Sequence, residues 1–224
     1  MIITNEYFKG EIYIPHAKPG IKDSVQGVET EMISFINEYA SDCLFKCLGP
    51  QLYAELILNL DKDNQKWVKD TSDSKWDDLV NGKTYVDPNT NLNVVWKGIR
   101  YKNIFQGEDY DRSFLAYYTY FFYEKKSYIT RSGVGHQQEK PSNAYLTTPT
   151  HKSVSAWNKF VDLAQGEKNV NNIVFSNKGI GVDFYKGNNN VSMYKFIQDS
   201  NAINENTYAN FNPKFWERIN QFGV

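Results

Sequence analysis

From Val25 to Cys47 the apolar residues Val25, Val28, Met32, Ile36, Tyr39, Cys43 and Cys47 recur at three- and four-residue steps, the spacing that lines one face of an α-helix. Asp23 or Ser24 suits the N-cap, and the run amounts to about six turns before Gly49-Pro50. Gly at that point suits a left-handed C′ position and Pro the first turn of a following helix, so a second helix is expected from Pro50 to about Leu60, with Leu52, Tyr53, Leu56 and Leu60 on one stripe. The two make a helical corner. Before it, residues 1–22 hold short β-prone runs broken by Pro15, Pro19 and Gly20 and read as an extended arm.

After a polar stretch at 61–75, Asp73-Ser74 can cap a short helix carrying Trp76, Leu79 and Val80 before Gly82. Thr84–Val86 and Leu92–Trp96 flank Asp87-Pro88-Asn89-Thr90-Asn91, the turn chemistry of a β-hairpin. A helix is then expected over 109–130, in which seven of the ten residues from Phe114 to Tyr123 are aromatic. A helix apolar nearly all round is buried centrally or shared between subunits. Residues 131–148 show no periodicity and read as a long loop. Thr148 and Pro149 open another helix, with Val154, Trp157, Val161 and Ala164 inward and Gly166 at its end. Beyond it lie β-prone stretches at 173–175 and 182–185, a turn at 187–190, a short helix Val191–Asp199 and a terminal helix on PKFWERINQFGV. The expected fold is mainly α: a bundle of four to five helices with a hairpin insertion near 84–98 (residues 1–166), followed by an α+β C-terminal arm or small subdomain (167–224).

Composition narrows the function classes. Across 224 residues, 25 Lys+Arg face 26 Asp+Glu, a net charge of −1 that excludes a strongly basic, phosphate-neutralising protein. At this length a chain buries roughly 70–75% of its unfolded surface and needs no metal or disulfide staple. The 16 Tyr, 14 Phe and 5 Trp supply side chains that suit half-buried, half-wet surfaces, interfaces included. Cys43 and Cys47 lie four apart with no second ligand pair, so they read as small core residues. The first fifteen residues lack a basic stretch followed by an apolar run, so no secretory leader is expected, and Phe114–Tyr123 is about 15 Å as a helix, half a bilayer.

Motifs that carry chemistry are weak. Gly133/Gly135 and Gly179/Gly181 are turn glycines, because neither pair sits between a long strand and a helix. Asp61–Ser72 opens like a calcium loop but has Lys66 and Ser72 where Gly and Glu are needed. His16, His136 and His151 show no metal-ligand spacing, and no nucleophile elbow or P-loop is present. Asp109/Asp111 suit a helix start and Asp77-Asp78 the polar side of a short helix better than a glycosidase pair, and Lys125, Lys126 and Arg131 suit a helix C-terminus. No catalytic residue, cofactor site or metal site is assigned, and an enzyme is not expected.

Several segments in order resemble the head-to-tail connector (neck adaptor, head-completion) proteins of tailed phages of the crAss-like type. They are CLFKCLGPQLYAEL (43–56), KWDDLVNG (75–82), FLAYYTYFFYE (114–124) with TRSGV (130–134), VSMYKFIQDSN (191–201) and FWERINQFGV (215–224). The resemblance implies a mainly helical virion protein, assembled in the bacterial host cytoplasm, that forms a ring of twelve copies in the neck. Its partners would be its own copies, the portal protein and further neck or tail rings. Genomic DNA would pass through the lumen without sequence-specific binding, and no membrane is involved. Under that reading Tyr117, Tyr118, Phe121 and Phe122 form the core and subunit-packing element, and Arg131, His136, Tyr194, Phe196, Phe211, Trp216 and Phe222 face partners; for Trp216 and Phe222 the alternative is docking of the terminal segment on the chain's own core. The alternative is another neck or tail ring, or a glycan-binding module.

Overall fold

The computed structural model describes residues 2–14, 26–69, 74–105, 108–127, 130–132, 135–137, 150–166 and 190–220. They form a mainly helical fold with small antiparallel hairpins. The first long helix is α1 (Gln26–Phe35), a π-helical segment (Ile36–Ala40) and α2 (Ser41–Leu48), running without a break. Its start at Asp23 or Ser24 lies outside the described residues. The π segment has a cause in the spacing. Met32, Ile36, Ala40, Leu44 and Leu48 are all buried and all four apart. A strict four-residue repeat drifts around an α-helix of 3.6 residues per turn, and one wider turn brings the stripe back to the core.

α3 (Pro50–Asn59) follows Gly49, whose φ of 85° and ψ of 161° are extended rather than left-handed helical as the sequence suggests. A Cβ there would also stand 2.8 Å from the Asn212 carbonyl oxygen, so the corner admits only glycine. α4 (Lys75–Asn81) begins after Ser74, which makes no side-chain cap bond. β1 (Lys83–Val86) and β2 (Asn93–Trp96) form the expected hairpin, in register Lys83↔Trp96 through Val86↔Asn93.

A second hairpin, β3 (Tyr101–Phe105) with β4 (Glu108–Arg112), occupies the residues expected to begin the aromatic helix. That helix is α5 (Phe114–Ser127), so Asp109 and Asp111 lie on a strand and not at a helix start. The stretch expected as loop opens with a third hairpin, β5 (Thr130–Ser132) and β6 (Gly135–Gln137), which pairs Arg131 with His136. α6 (Thr150–Ala164) packs along α5, and α7 (Met193–Ile203) extends four residues past its expected end at Asp199. Thr148, Pro149, residues 173–175 and 182–185 and most of the 187–190 turn lie outside the described residues.

One hydrophobic cluster joins the N-terminal turns, the helices and the β1–β2 hairpin, with residues from 191 to 216 among its members. The N-terminal arm is not simply extended. Two 3₁₀ turns, Asn5–Tyr7 and Gly10–Ile12, sink Ile2, Ile3, Tyr7, Phe8, Ile12 and Ile14 into that cluster. Among the described residues no helix is long and apolar enough to cross a membrane.

Candidate interaction surfaces

The aromatic residues of α5 serve first as the chain's own core. Tyr117 and Tyr118 are buried in the chain's own core, the first part of the role expected for this helix. Tyr117 accepts a hydrogen bond from Arg112 Nη1 at 2.7 Å and donates one to Glu11, tying the N-terminal arm to α5. Tyr118 donates to Asp42 Oδ2 at 2.7 Å, and the same oxygen accepts from Lys46 Nζ at 2.6 Å. Burial first, and then that bond to the carboxylate, push the Tyr118 phenol far above its ordinary pKa. Phe121 and Phe122 are half-buried; Phe122 stacks on Tyr39 of the π segment at 4.5 Å and Phe121 tilts against Trp157 at 4.8 Å.

The C-terminal tail is extended where a terminal helix was expected, and it is fastened to the fold. The backbone N–H groups of Asn212 and Lys214 donate to the carbonyls of Leu48 and Lys46, which α2 leaves unpaired at its C-terminus. Gln165 bonds the backbone of Trp216 both ways, at 2.6 and 2.8 Å, and Asn158 does the same for Ile219, at 2.9 and 3.0 Å. Seven residues of α6 rise about 10.5 Å, and three extended residues cover about 10 Å, so the two side-chain amides meet the tail in register. Arg218 pairs with Asp162 beside them. Trp216 therefore seats against Tyr118, Trp157 and Phe160 of its own chain. Trp216 follows the own-core alternative, and the partner-facing assignment fails for Tyr194 and Phe196, both buried within the molecule. Phe211 is half-buried against Tyr194; Arg131 and His136 are placed only as a cross-strand pair, and Phe222 lies outside the described residues.

Cys43 and Cys47 are buried with their sulfurs 3.9 Å apart, as core residues. Asp77 and Asp78 are held separately, Asp77 by Asn81 at 2.8 Å and Asp78 by Lys83 at 2.6 Å.

Sequence reasoning missed a buried charged cluster under the β1–β2 hairpin. Lys195 of α7 reaches Asp199 at 2.8 Å and Asp87 at 3.2 Å, with side-chain exposures of 7%, 4% and 1% for Lys195, Asp199 and Asp87. Asp87 also accepts from Asn89 N and Thr90 Oγ1, both at 2.9 Å, which shapes the hairpin turn. Burial alone would raise the Asp87 carboxyl; the Asn89 N–H, the Thr90 hydroxyl and Lys195 outweigh it and hold the group below its ordinary 3.8. Tyr85 donates to Asp199 at 2.7 Å, and burial together with that bond drives its phenol upward. The available signal was the four-residue spacing of Lys195 and Asp199 on one helix.

Beside this cluster lies a cleft of about 400 Å³. Tyr85, Phe196 and Tyr208 contribute aromatic surface, and Ser74, Lys75, Asp78, Lys83 and residues 203–207 line the rest. A second feature is an apolar ridge on the helical corner. Phe45 meets Tyr53 edge to face at 5.7 Å, Ile57 lies one turn further along α3, and Phe45, Ile57 and Leu58 are 45%, 43% and 70% exposed.

Comparison with models of protein families, with curated proteins and with solved structures finds no match.

Proposed function

We propose that the chain is a structural subunit of the neck of a tailed phage, assembling as a ring that joins the portal to the tail and lets DNA pass. The apolar ridge Phe45–Tyr53–Ile57–Leu58 carries this reading. The ridge belongs to the helical corner, the first of the segments that resemble neck proteins; Tyr53 packs partly against the core, and Phe45, Ile57 and Leu58 stand exposed beside it. Contiguous exposed apolar surface of this kind suits a protein partner.

Two further features support it. The segments of the resemblance within the described residues supply α2, α3, α4, α5 and α7, so the likeness lies in the framework. A net charge of −1 suits a channel wall, since each Lys or Arg contact to phosphate adds affinity that would hold DNA in place. The subunit contacts fall on the corner ridge and on half-buried Phe121 and Phe122, while Tyr117 and Tyr118 support them from beneath.

Co-expression with a phage portal protein and purification through a tag on the portal test the reading. The expected result is retention of this chain on the portal, lost when Ile57 and Leu58 are both replaced by Glu. A chain that never associates with portal or neck proteins and instead binds oligosaccharides overturns it.

A further inference from the structure

The β1–β2 hairpin has two edges, and the described residues fill only one. Asp87 N donates to Leu92 O at 2.9 Å, which fixes the ladder's phase: Lys83, Tyr85 and Asp87 bond inward, and the N–H and C=O groups of Thr84 and Val86 point outward. On β2 the matching outward carbonyl of Val95 accepts from Val191 N at 2.9 Å, so Asn190 and Val191 cover that edge. On β1 the outward groups of Thr84 and Val86 have no partner among the described residues, and both side chains are exposed, Val86 by 50%. An uncovered edge is a template for another strand.

The cleft lies along this edge. It is lined by Lys83 and Tyr85 of β1 and by no residue of β2. Lys83 and Tyr85 belong to the face that carries Val94 and Trp96, the face that sits on Phe196. A strand added to β1 would direct every second side chain to that face and into the cleft. Main-chain bonds to an edge combined with a pocket for alternate side chains define strand addition.

Charge selects the occupant. Of the charged groups that line the cleft, Lys83 is paired with Asp78 at 2.6 Å and Lys75 with Glu55 at 3.9 Å, while Glu205 adds negative charge, so an incoming carboxylate finds no free cation there. Of the chain's two β-prone stretches beyond α6, 182–186 carries Asp183 and Lys186, whereas 172–177 reads Asn-Ile-Val-Phe-Ser-Asn, uncharged, with Ile173 and Phe175 two apart. We propose that the outer edge of β1 and the adjoining cleft receive residues 172–177 of a second copy of this chain, with Ile173 and Phe175 directed to the cleft. The contact deepens the ring reading by naming a junction between subunits.

The test is a titration of the full-length protein with a synthetic peptide of residues 171–177, followed by NMR at the Thr84 and Val86 amides. Saturable binding that shifts both amides is expected, weakened at least tenfold by Val86→Pro, which removes only an outward N–H from an edge strand. The same loss is expected with a peptide carrying Phe175→Asp, which leaves the protein's fold untouched. No binding, equal binding of the Phe175→Asp peptide, or concentration-independent protection of both amides in the monomer would overturn the proposal, the last because the edge would be filled within one chain. Rings that form on a portal with Val86→Pro as with the parent would remove this contact and leave the neck reading standing; peptide binding without any portal association would do the reverse.

Discussion

Removing the Lys195 ammonium strands two carboxylates, Asp87 and Asp199, in a site that water hardly reaches. Breaking a buried ion pair from one side costs about 3–5 kcal/mol, so Lys195→Met should lower the urea unfolding free energy by that order. The cluster also sets an acid dependence. In the folded chain Asp87 titrates below 3.8, so between its folded and unfolded values the unfolded chain binds the proton first and stability rises with pH. Its contribution is complete above the unfolded value and is lost as pH falls through the folded one. Asp87→Asn should therefore flatten the stability profile below about pH 4, measured by urea unfolding at a series of pH values. At Trp216 the outcome separates two roles. Buried against Tyr118, Trp157 and Phe160, it should cost about 3–5 kcal/mol when replaced by Ala in the isolated protein, whereas a residue waiting for a partner would leave the monomer's stability unchanged.

At the scale of elements, the helices with apolar stripes were legible because burial on one side writes its period into the sequence. The corner at Gly49-Pro50, the α4 stripe and the Asp87–Asn91 turn all followed from that rule and from turn chemistry. The β3–β4 hairpin was not, because Asp109 and Asp111 fit a helix start as well as a strand, and the strong α5 pattern drew the helix back over them. The β-prone residues Tyr101, Ile104 and Phe105 ahead of the turn formers Gln106-Gly107 were the signal on the other side. The tail was misread for a different reason. Its extended path depends on two side-chain amides, Asn158 of α6 and Gln165 just past its end, and no local pattern in 211–220 records such distant partners. The candidate surfaces followed the same division. Aromatic content pointed at α5 and the tail, but aromatic type does not distinguish a residue buried by its own chain from one buried by a neighbour. The ridge became visible only once the two helices of the corner were placed. Gly49→Ala joins these elements: it forces a Cβ against the Asn212 carbonyl at a positive φ, and should lower the thermal midpoint by a margin matching about 1–3 kcal/mol, with loss of amide protection at Asn212 and Lys214.

For the molecule as a whole, two expectations follow from surface rather than core. Ile57→Glu with Leu58→Glu exchanges exposed side chains and should leave the monomer's unfolding free energy within about 0.5 kcal/mol while abolishing assembly, a combination checked by denaturation beside sedimentation with portal. A net charge of −1 gives no general attraction for duplex DNA, so gel shifts at physiological salt should show none for the isolated chain. Electron microscopy of the chain mixed with portal protein asks whether its copies close into a ring there. A closed ring of this chain, coaxial with the portal and open through its centre, is expected; portal particles with no added layer, beside free monomers, would overturn the neck reading.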